Sequence, residues 1–208
     1  EGMLWEPIPS FSGQFKGNGH TISDLTITGQ YSPAGLFGIV EEQGSIESLS
    51  VRGIVSVSDS ADTTTGGIVG INHGTLINCQ FTGVVTGDSE VGGIVGRNES
   101  EGTIDHSTAR AIVTGKSSTG GIAGYNLGAI TGCTNVGSIN TEYQEASLDT
   151  DGFTAKMVDQ INNKMAAADD DATNSVTNVA TDTGGIAGRS SGMILTSVNT
   201  CLLYTSPS

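Results

Sequence analysis

Histidine and cysteine, the side chains that most often bind zinc or act as a base or a nucleophile near neutral pH, are few in this chain. It has three histidines and three cysteines, located at His20, His73, His106, Cys79, Cys133 and Cys201. The histidines are not joined by an HExxH pattern, in which two histidines hold zinc beside a glutamate base, and the cysteines are not joined by a CxxC pair. We therefore predict no catalytic residue, no metal ligand, no cofactor-binding residue and no cofactor in this chain.

The excess of acidic residues disfavours some classes of binding partner. The chain carries 22 acidic and 8 basic residues, for a formal net charge of −14. A phosphate backbone or an anionic lipid surface would be repelled by such a chain, so we predict no nucleic-acid partner. No run of 18 or more apolar residues is present, so we also predict no membrane insertion. The basic residues outside residues 141–182 are dispersed, among them Arg52, Arg97, Arg110, Lys116 and Arg189.

The elements that would position any site are set by an internal repeat. A five-residue signature reads AGLFG at 34–38, GGIVG at 66–70 and 92–96, and GGIAG at 120–124 and 184–188. Counted between Gly35, Gly67, Gly93, Gly121 and Gly185, the steps are 32, 26, 28 and 64 residues. A second apolar segment follows each signature, and a third follows in four copies. Three short strands in a unit of about 26 residues suit one coil of a solenoid, whereas a propeller blade needs roughly 40–45 residues.

We therefore predict an all-β fold, a right-handed parallel β-helix (solenoid) with one inserted short α-helix, over residues 1–200. Equivalent aliphatic residues should stack in columns about 4.8 Å apart inside the coils. The first predicted column contains Leu36, Ile68, Ile94, Ile122 and Ile186. The second contains Ile46, Leu76, Ile104, Ile130 and Ile194, and the third contains Val55, Val85, Val113 and Ile139.

Two polar features of the repeat have predicted structural roles. The paired glycines suit either a turn with positive φ or a close approach of two backbones at a corner. Asn72, Asn98 and Asn126 recur five residues after the second glycine of the pair. Asparagine tolerates the left-handed region and can hydrogen-bond to its copy in the next coil, so we predict a corner ladder.

The same columns argue against a disulfide and against a pair of catalytic carboxylates. Cys79 and Cys133 share a column with Ser107 between them, which places them about 9.6 Å apart, beyond the roughly 7 Å that a disulfide spans. Glu47 and Asp105 share another column but are separated by the coil that contains Ile77. Polysaccharide cleavage needs clustered carboxylates. We therefore predict buried, unpaired thiols and no cleavage site.

The step of 64 residues indicates an insertion at about 141–182. Phe153, Met157, Ile161 and Met165 are spaced four apart, which predicts a helix near 154–168 with one apolar face. Such a helix could cover one side of a coil, or it could serve as a docking element. The acidic run Asp169 to Asp171 is expected to be a solvated turn that ends the helix.

Both ends of the chain suggest a piece of a longer protein. It opens at Glu1, without an initiator methionine, in the middle of a motif. Residues 201–208, CLLYTSPS, fit no repeat and match the translation of a sequencing-library transposase adapter, so we expect a scar there and exclude it.

The ordered motifs resemble a known family. The unit GG[IV][VA]G-x-N-x-G is similar to the GLUG motif of bacterial surface proteins, and FSGQFKGNGHTISDLTI at 11–27 resembles the coil that precedes those repeats. The resemblance covers residues 5–140 and 183–199. It implies an extracellular, adhesin-like protein of the cell surface. Because the outer positions of the coils show no convergent site, we predict a non-catalytic module, acting as an adhesive or spacer stalk that could contact host glycans or host surface proteins. Two alternatives stay open: the accessory region of a secreted IgA-type zinc metallopeptidase, and a carbohydrate-active β-helix enzyme.

Overall fold

A computed structural model of the chain describes residues 4–57, 63–140 and 183–200. These residues form parallel strands and turns, and no helix occurs among them. The predicted all-β parallel solenoid is confirmed, and its right-handed sense stays a prediction. The insertion at 141–182, the helix proposed for 154–168 and the segment 201–208 lie outside the described residues.

The strands are arranged as successive coils. Coil 1 contains β1 (Ile8–Phe11), β2 (Gln14–Lys16) and β3 (Thr21–Gly29), and coil 2 contains β4 (Phe37–Val40), β5 (Ser45–Glu47) and β6 (Ser50–Val57). Coil 3 contains β7 (Thr64–Gly66), β8 (Val69–Asn72), β9 (Thr75–Ile77) and β10 (Gln80–Thr86). Coil 4 contains β11 (Glu90–Gly92), β12 (Val95–Asn98), β13 (Thr103–Asp105) and β14 (Thr108–Thr114). Coil 5 contains β15 (Thr119–Gly120), β16 (Ala123–Asn126), β17 (Ala129–Thr131), β18 (Thr134–Asn135) and β19 (Ser138–Ile139). Coil 6 contains β20 (Thr183–Gly184), β21 (Ala187–Ser190), β22 (Met193–Leu195) and β23 (Val198–Asn199).

Each strand pairs with its copies in the neighbouring coils, and this generates four parallel sheets. Sheet A has the order β1-β4-β8-β12-β16-β21, and sheet B has the order β2-β5-β9-β13-β17-β22. Sheet C has the order β3-β6-β10-β14-β18-β23, with β19 also paired to β14. Sheet D has the order β7-β11-β15-β20. Backbone donors and acceptors are therefore satisfied between coils, and no coil could satisfy them alone.

Sheet D corrects the prediction of three strands per coil. From coil 3 onward the described coils have a fourth strand, which ends on the first glycine of the signature, for example Thr64–Gly66 and Glu90–Gly92. These strands are two or three residues long and consist of threonine, glutamate and glycine, with Val91 as the single aliphatic residue in the described strands of sheet D. Their ladder hydrogen bonds form without the apolar alternation from which strands are predicted.

The three predicted aliphatic columns are confirmed. Ile46, Leu76, Ile104, Ile130 and Ile194 are in register across sheet B. Val55, Val85, Val113 and Ile139 are in register across sheet C. The column that begins at Leu36 lies at the corner before sheet A, where successive backbones are hydrogen-bonded, as from the Ile94 N–H to the Ile122 carbonyl. Ile68, Leu76, Ile94 and Ile104 are fully buried. Ile194, in the last described strand of sheet B, is 39% exposed.

Candidate functional site

The buried asparagines form a continuous hydrogen-bonded ladder, as predicted. The Nδ2 of Asn72 donates to the Oδ1 of Asn98 over 2.8 Å, and the Nδ2 of Asn98 donates to the Oδ1 of Asn126 over 2.8 Å. The Nδ2 of Asn126 donates to the Oγ of Ser190 over 3.2 Å. All three asparagines are fully buried, so each amide exchanges water for a partner in the next coil.

We also expected these asparagines to adopt a left-handed backbone conformation, and this was wrong: none of the three has a positive φ. A left-handed residue recurs instead at a different corner, directly after sheet B: Ser48 (52°), Asn78 (52°), His106 (45°), Gly132 (61°) and Thr196 (47°). Four of these five are not glycine, so the corner recurs without a residue signature. This corner is recognised only when the strands of sheet B are aligned by their pairing.

A second asparagine ladder was missed. The Nδ2 of Asn135 donates to the Oδ1 of Asn199 over 2.9 Å, and the Oδ1 of Asn135 accepts from the Gly137 N–H. A carbon atom placed on Gly121 would come within 2.3 Å of the Asn135 amide, and the same holds for Gly185 and Asn199. The sequence signal is the shared spacing of these two asparagines from the glycine pair, fourteen residues after Gly121 and after Gly185.

The cysteines lie on an inner column, as predicted. Cys79 and Cys133 are buried and unpaired. Backbone N–H groups donate along the column, from Cys79 to the Ser107 Oγ over 3.1 Å and from Ser107 to the Cys133 Sγ over 3.5 Å. Burial raises the pKa of both thiols to about 11, so at neutral pH they are protonated and unreactive.

The three histidines lie apart. His20 Nδ1 lies 3.0 Å from the carbonyl oxygen of Gly17, three residues earlier in the same turn. His106 has an acidic neighbour: its Nδ1 lies 2.9 Å from the Oδ1 of Asp105. The two residues are adjacent at the left-handed corner, which brings their side chains together. The His106 side chain is 68% exposed.

Glu47 and Asp105 share an outer column of sheet B and are separated by Ile77, as predicted. Gly188–Gly192 reads GRSSG, a match to the GxSxG nucleophile pattern that the sequence prediction overlooked. This segment leads from β21 into β22 rather than into a helix. Its Ser190 Oγ accepts from Asn126 and donates to the Gly192 carbonyl. The described residues contain no group of three metal-binding side chains.

The outer face of sheet A carries a ladder of two arginines and a tyrosine. Arg97 pairs with Tyr125, and Tyr125 pairs with Arg189, on three successive strands. The guanidinium carbon of Arg97 lies 5.1 Å from the centroid of the Tyr125 ring, and that of Arg189 lies 5.3 Å from it. We call these three residues the Arg–Tyr–Arg ladder. Sequence reasoning treated both arginines as dispersed, because the outer column was not assigned.

The chain is similar in sequence to parts of much longer proteins. Over 117 residues, 52% of this chain, it is 35% identical to Halomucin of Haloquadratum walsbyi. Over 140 residues, 49% of this chain, it is 29% identical to a protein of Evansella cellulosilytica named as a Gly-rich membrane protein. The aligned stretches span 1% and 16% of these two relatives. No solved structure matches the chain significantly.

None of the described residues forms a helix long and apolar enough to cross a bilayer. The family model for the GLUG motif matches residues 87–114. That range begins just before β11, ends with β14 at Thr114 and so contains the four strands of coil 4. Coil 4 therefore contains a GLUG motif, which is consistent with a GLUG-motif repeat region.

Proposed function

We propose that this chain is a non-catalytic repeat module of an extracellular cell-surface protein, in which it acts as an adhesive or spacing stalk. The main supporting observation is that side chains fill the interior of the described coils and leave no internal site. Aliphatic columns and amide and thiol ladders occupy this interior, so the surface for interaction is the outer face of each sheet, repeated about every 4.8 Å.

The relatives support the surface location. One is named a halomucin and the other a Gly-rich membrane protein, and this chain aligns with small parts of both. A repeat that occurs within much longer chains fits a module that extends or displays something, because each added coil needs only its neighbours for stability. The polar and acidic composition, with a net charge of −14, keeps such a stack soluble.

A binding and turnover screen with the full chain tests the proposal. We expect binding to glycans or host surface proteins if the module is adhesive, and no binding if it is a spacer. Either result should come without turnover. Release of reducing sugar from any glycan in the same wells would overturn the non-catalytic assignment. An HExxH domain elsewhere in the same gene would make the chain an accessory region of a zinc peptidase.

A further inference from the structure

The Arg–Tyr–Arg ladder has an arrangement that stacking alone does not require. Because Arg97 and Arg189 pair with Tyr125 from opposite sides, one guanidinium covers each face of the ring. Stacking on an aromatic ring orients a guanidinium plane and lowers the entropy lost when it later forms hydrogen bonds. The ladder therefore presents two pre-oriented cations about two coils apart, or about 9.6 Å.

The charges around the ladder differ between the two arginines. Arg97 Nη2 lies 3.0 Å from Glu90 Oε1, and its Nε lies 3.7 Å from Glu99 Oε1. The Glu90 and Glu99 side chains are 16% and 22% exposed and the Arg97 side chain is 34% exposed, so part of Arg97 remains accessible beside its two carboxylate partners. The buried Nε of Arg97 has no hydrogen-bond partner. Arg189 is exposed and has no acidic partner within the described residues.

The chain has 8 basic residues, and two of them, Arg97 and Arg189, lie on the same outer column of sheet A. A guanidinium matches a carboxylate through two parallel N–H···O bonds. Both faces of Tyr125 are covered, so the ring does not serve as a sugar-stacking platform, and the recognisable chemistry is the pair of cations. The surrounding negative charge disfavours a densely charged polymer such as a nucleic acid. It disfavours less a polymer whose charges are carboxylates spaced along neutral sugars.

We propose that the outer face of sheet A at the Arg–Tyr–Arg ladder binds a carboxylated polysaccharide lying along the axis of the coils. Arg189 makes the first contact and Arg97 the second, and Tyr125 acts as the positioning residue between them. This inference rests on the proposed function, because it names the ligand class of an adhesive module.

The test is binding of the full chain to hyaluronate, in which a carboxylated sugar alternates with a neutral one, with neutral dextran and single-stranded DNA as comparison polymers, at about 0.15 M salt. We expect binding to hyaluronate alone. Arg189→Gln should raise the Kd about tenfold, and the Arg97→Gln/Arg189→Gln pair should abolish measurable binding. Arg110→Gln is the matched control, because Arg110 is exposed on sheet C, and it should leave the Kd unchanged.

Tyr125→Leu separates positioning from a merely structural role. It keeps both cations and removes the ring that orients them, so we expect a higher Kd with the unfolding midpoint of the protein little changed. An equal loss of binding in Arg110→Gln would overturn the site, because attraction would then be general. Binding of DNA as tight as that of hyaluronate would overturn the ligand class. If the chain binds neutral glycans and no hyaluronate, this inference fails while the adhesive function stands.

Discussion

At the scale of single residues, the asparagine ladder links the coils through hydrogen bonds between buried side-chain amides. Each amide has a donor and an acceptor on opposite atoms, so one residue can accept from the previous coil and donate to the next. Asn98 does both, since it accepts from Asn72 and donates to Asn126, and its Nδ2 also contacts the Gly102 carbonyl at 3.1 Å. A side chain without both functions would leave a buried partner unsatisfied.

The ladder predicts a large cost for its central member. Asn98→Ala removes the acceptor of Asn72 and the donor to Asn126, so we expect the free energy of unfolding to fall by about 2–4 kcal/mol. Urea unfolding measures the change. Asn78→Gly is the control, because Asn78 is exposed with φ of 52°, a backbone that glycine adopts without strain; it should change stability by about 0.5 kcal/mol or less. A cost of Asn98→Ala equal to that of the control would show that the ladder does not stabilise the fold.

The two column thiols predict a loss of stability in alkali. Burial raises their folded pKa to about 11, above the ordinary value of 9.0. Their contribution is therefore complete below pH 9 and is lost as the pH rises toward 11, because the unfolded chain releases these protons first. We expect the free energy of unfolding to fall more steeply from pH 8.5 to 10.5 in the natural chain than in Cys79→Ser/Cys133→Ser.

Serine is the matched replacement, because Ser107 and Ser197 occupy the same column and accept backbone hydrogen bonds there. Parallel pH profiles for the two proteins would mean that the thiols do not contribute. In a Cys201→Ser background, a thiol reagent at pH 8 should label neither buried cysteine until urea unfolds the chain.

At the scale of the element, the three glycines of the signature leave room for other parts of the chain. In coil 4, a carbon atom added to Gly92 would lie 2.0 Å from the Val95 carbonyl oxygen, and one added to Gly93 would lie 2.2 Å from the Gly121 carbonyl oxygen. One added to Gly96 would lie 2.6 Å from the Thr65 backbone nitrogen. The paired glycines have no positive φ, so of the two predicted roles the close backbone approach is the correct one.

This crowding predicts that Gly92→Ala is strongly destabilising. The obstructing atoms are backbone groups fixed in ladders, which cannot rotate away, so we expect a loss of about 3 kcal/mol or more, or failure to fold. Gly13→Ala is the matched control: an added carbon would meet only the Phe11 ring at 3.4 Å, an ordinary contact. That variant should change stability by less than about 1 kcal/mol. Similar unfolding midpoints for the two variants would contradict this account of the signature.

Elements differ in how far the sequence predicts them. The aliphatic columns were predictable because parallel pairing in register repeats one residue type at one position, as with Leu76 and Ile104. Sheet D was not, because its described strands are two or three residues long and contain a single aliphatic residue, Val91. The Arg–Tyr–Arg ladder was not either: its outer column continues through Ile71, so side-chain chemistry changes from coil to coil and only the strand register reveals it.

At the scale of the whole molecule, each described coil contacts mainly its neighbours, so a complete coil is a unit that can be removed. Deleting residues 93–120, a step of 28 residues, joins Gly92 to Gly121 and restores the signature as Gly-Gly-Ile-Ala-Gly. Leu76 would then stack on Ile130, and Asn72 would donate to Asn126. We expect this variant to fold, with strand-dominated circular dichroism and a lower unfolding midpoint. A deletion of half that length, residues 93–106, breaks every column and should leave the chain unfolded.

The same deletion gives a direct test of register. In the natural chain Cys79 and Cys133 flank Ser107, about 9.6 Å apart, and cannot form a disulfide. Removing the intervening coil would place them on adjacent strands about 4.8 Å apart, within the range that a disulfide spans. In a Cys201→Ser background, we expect a mild oxidant to consume both thiols of the shortened protein and neither thiol of the parent. Free thiols in a folded, oxidised deletion variant would mean that the coils had closed in another register, and the modular account of the stack would then be wrong.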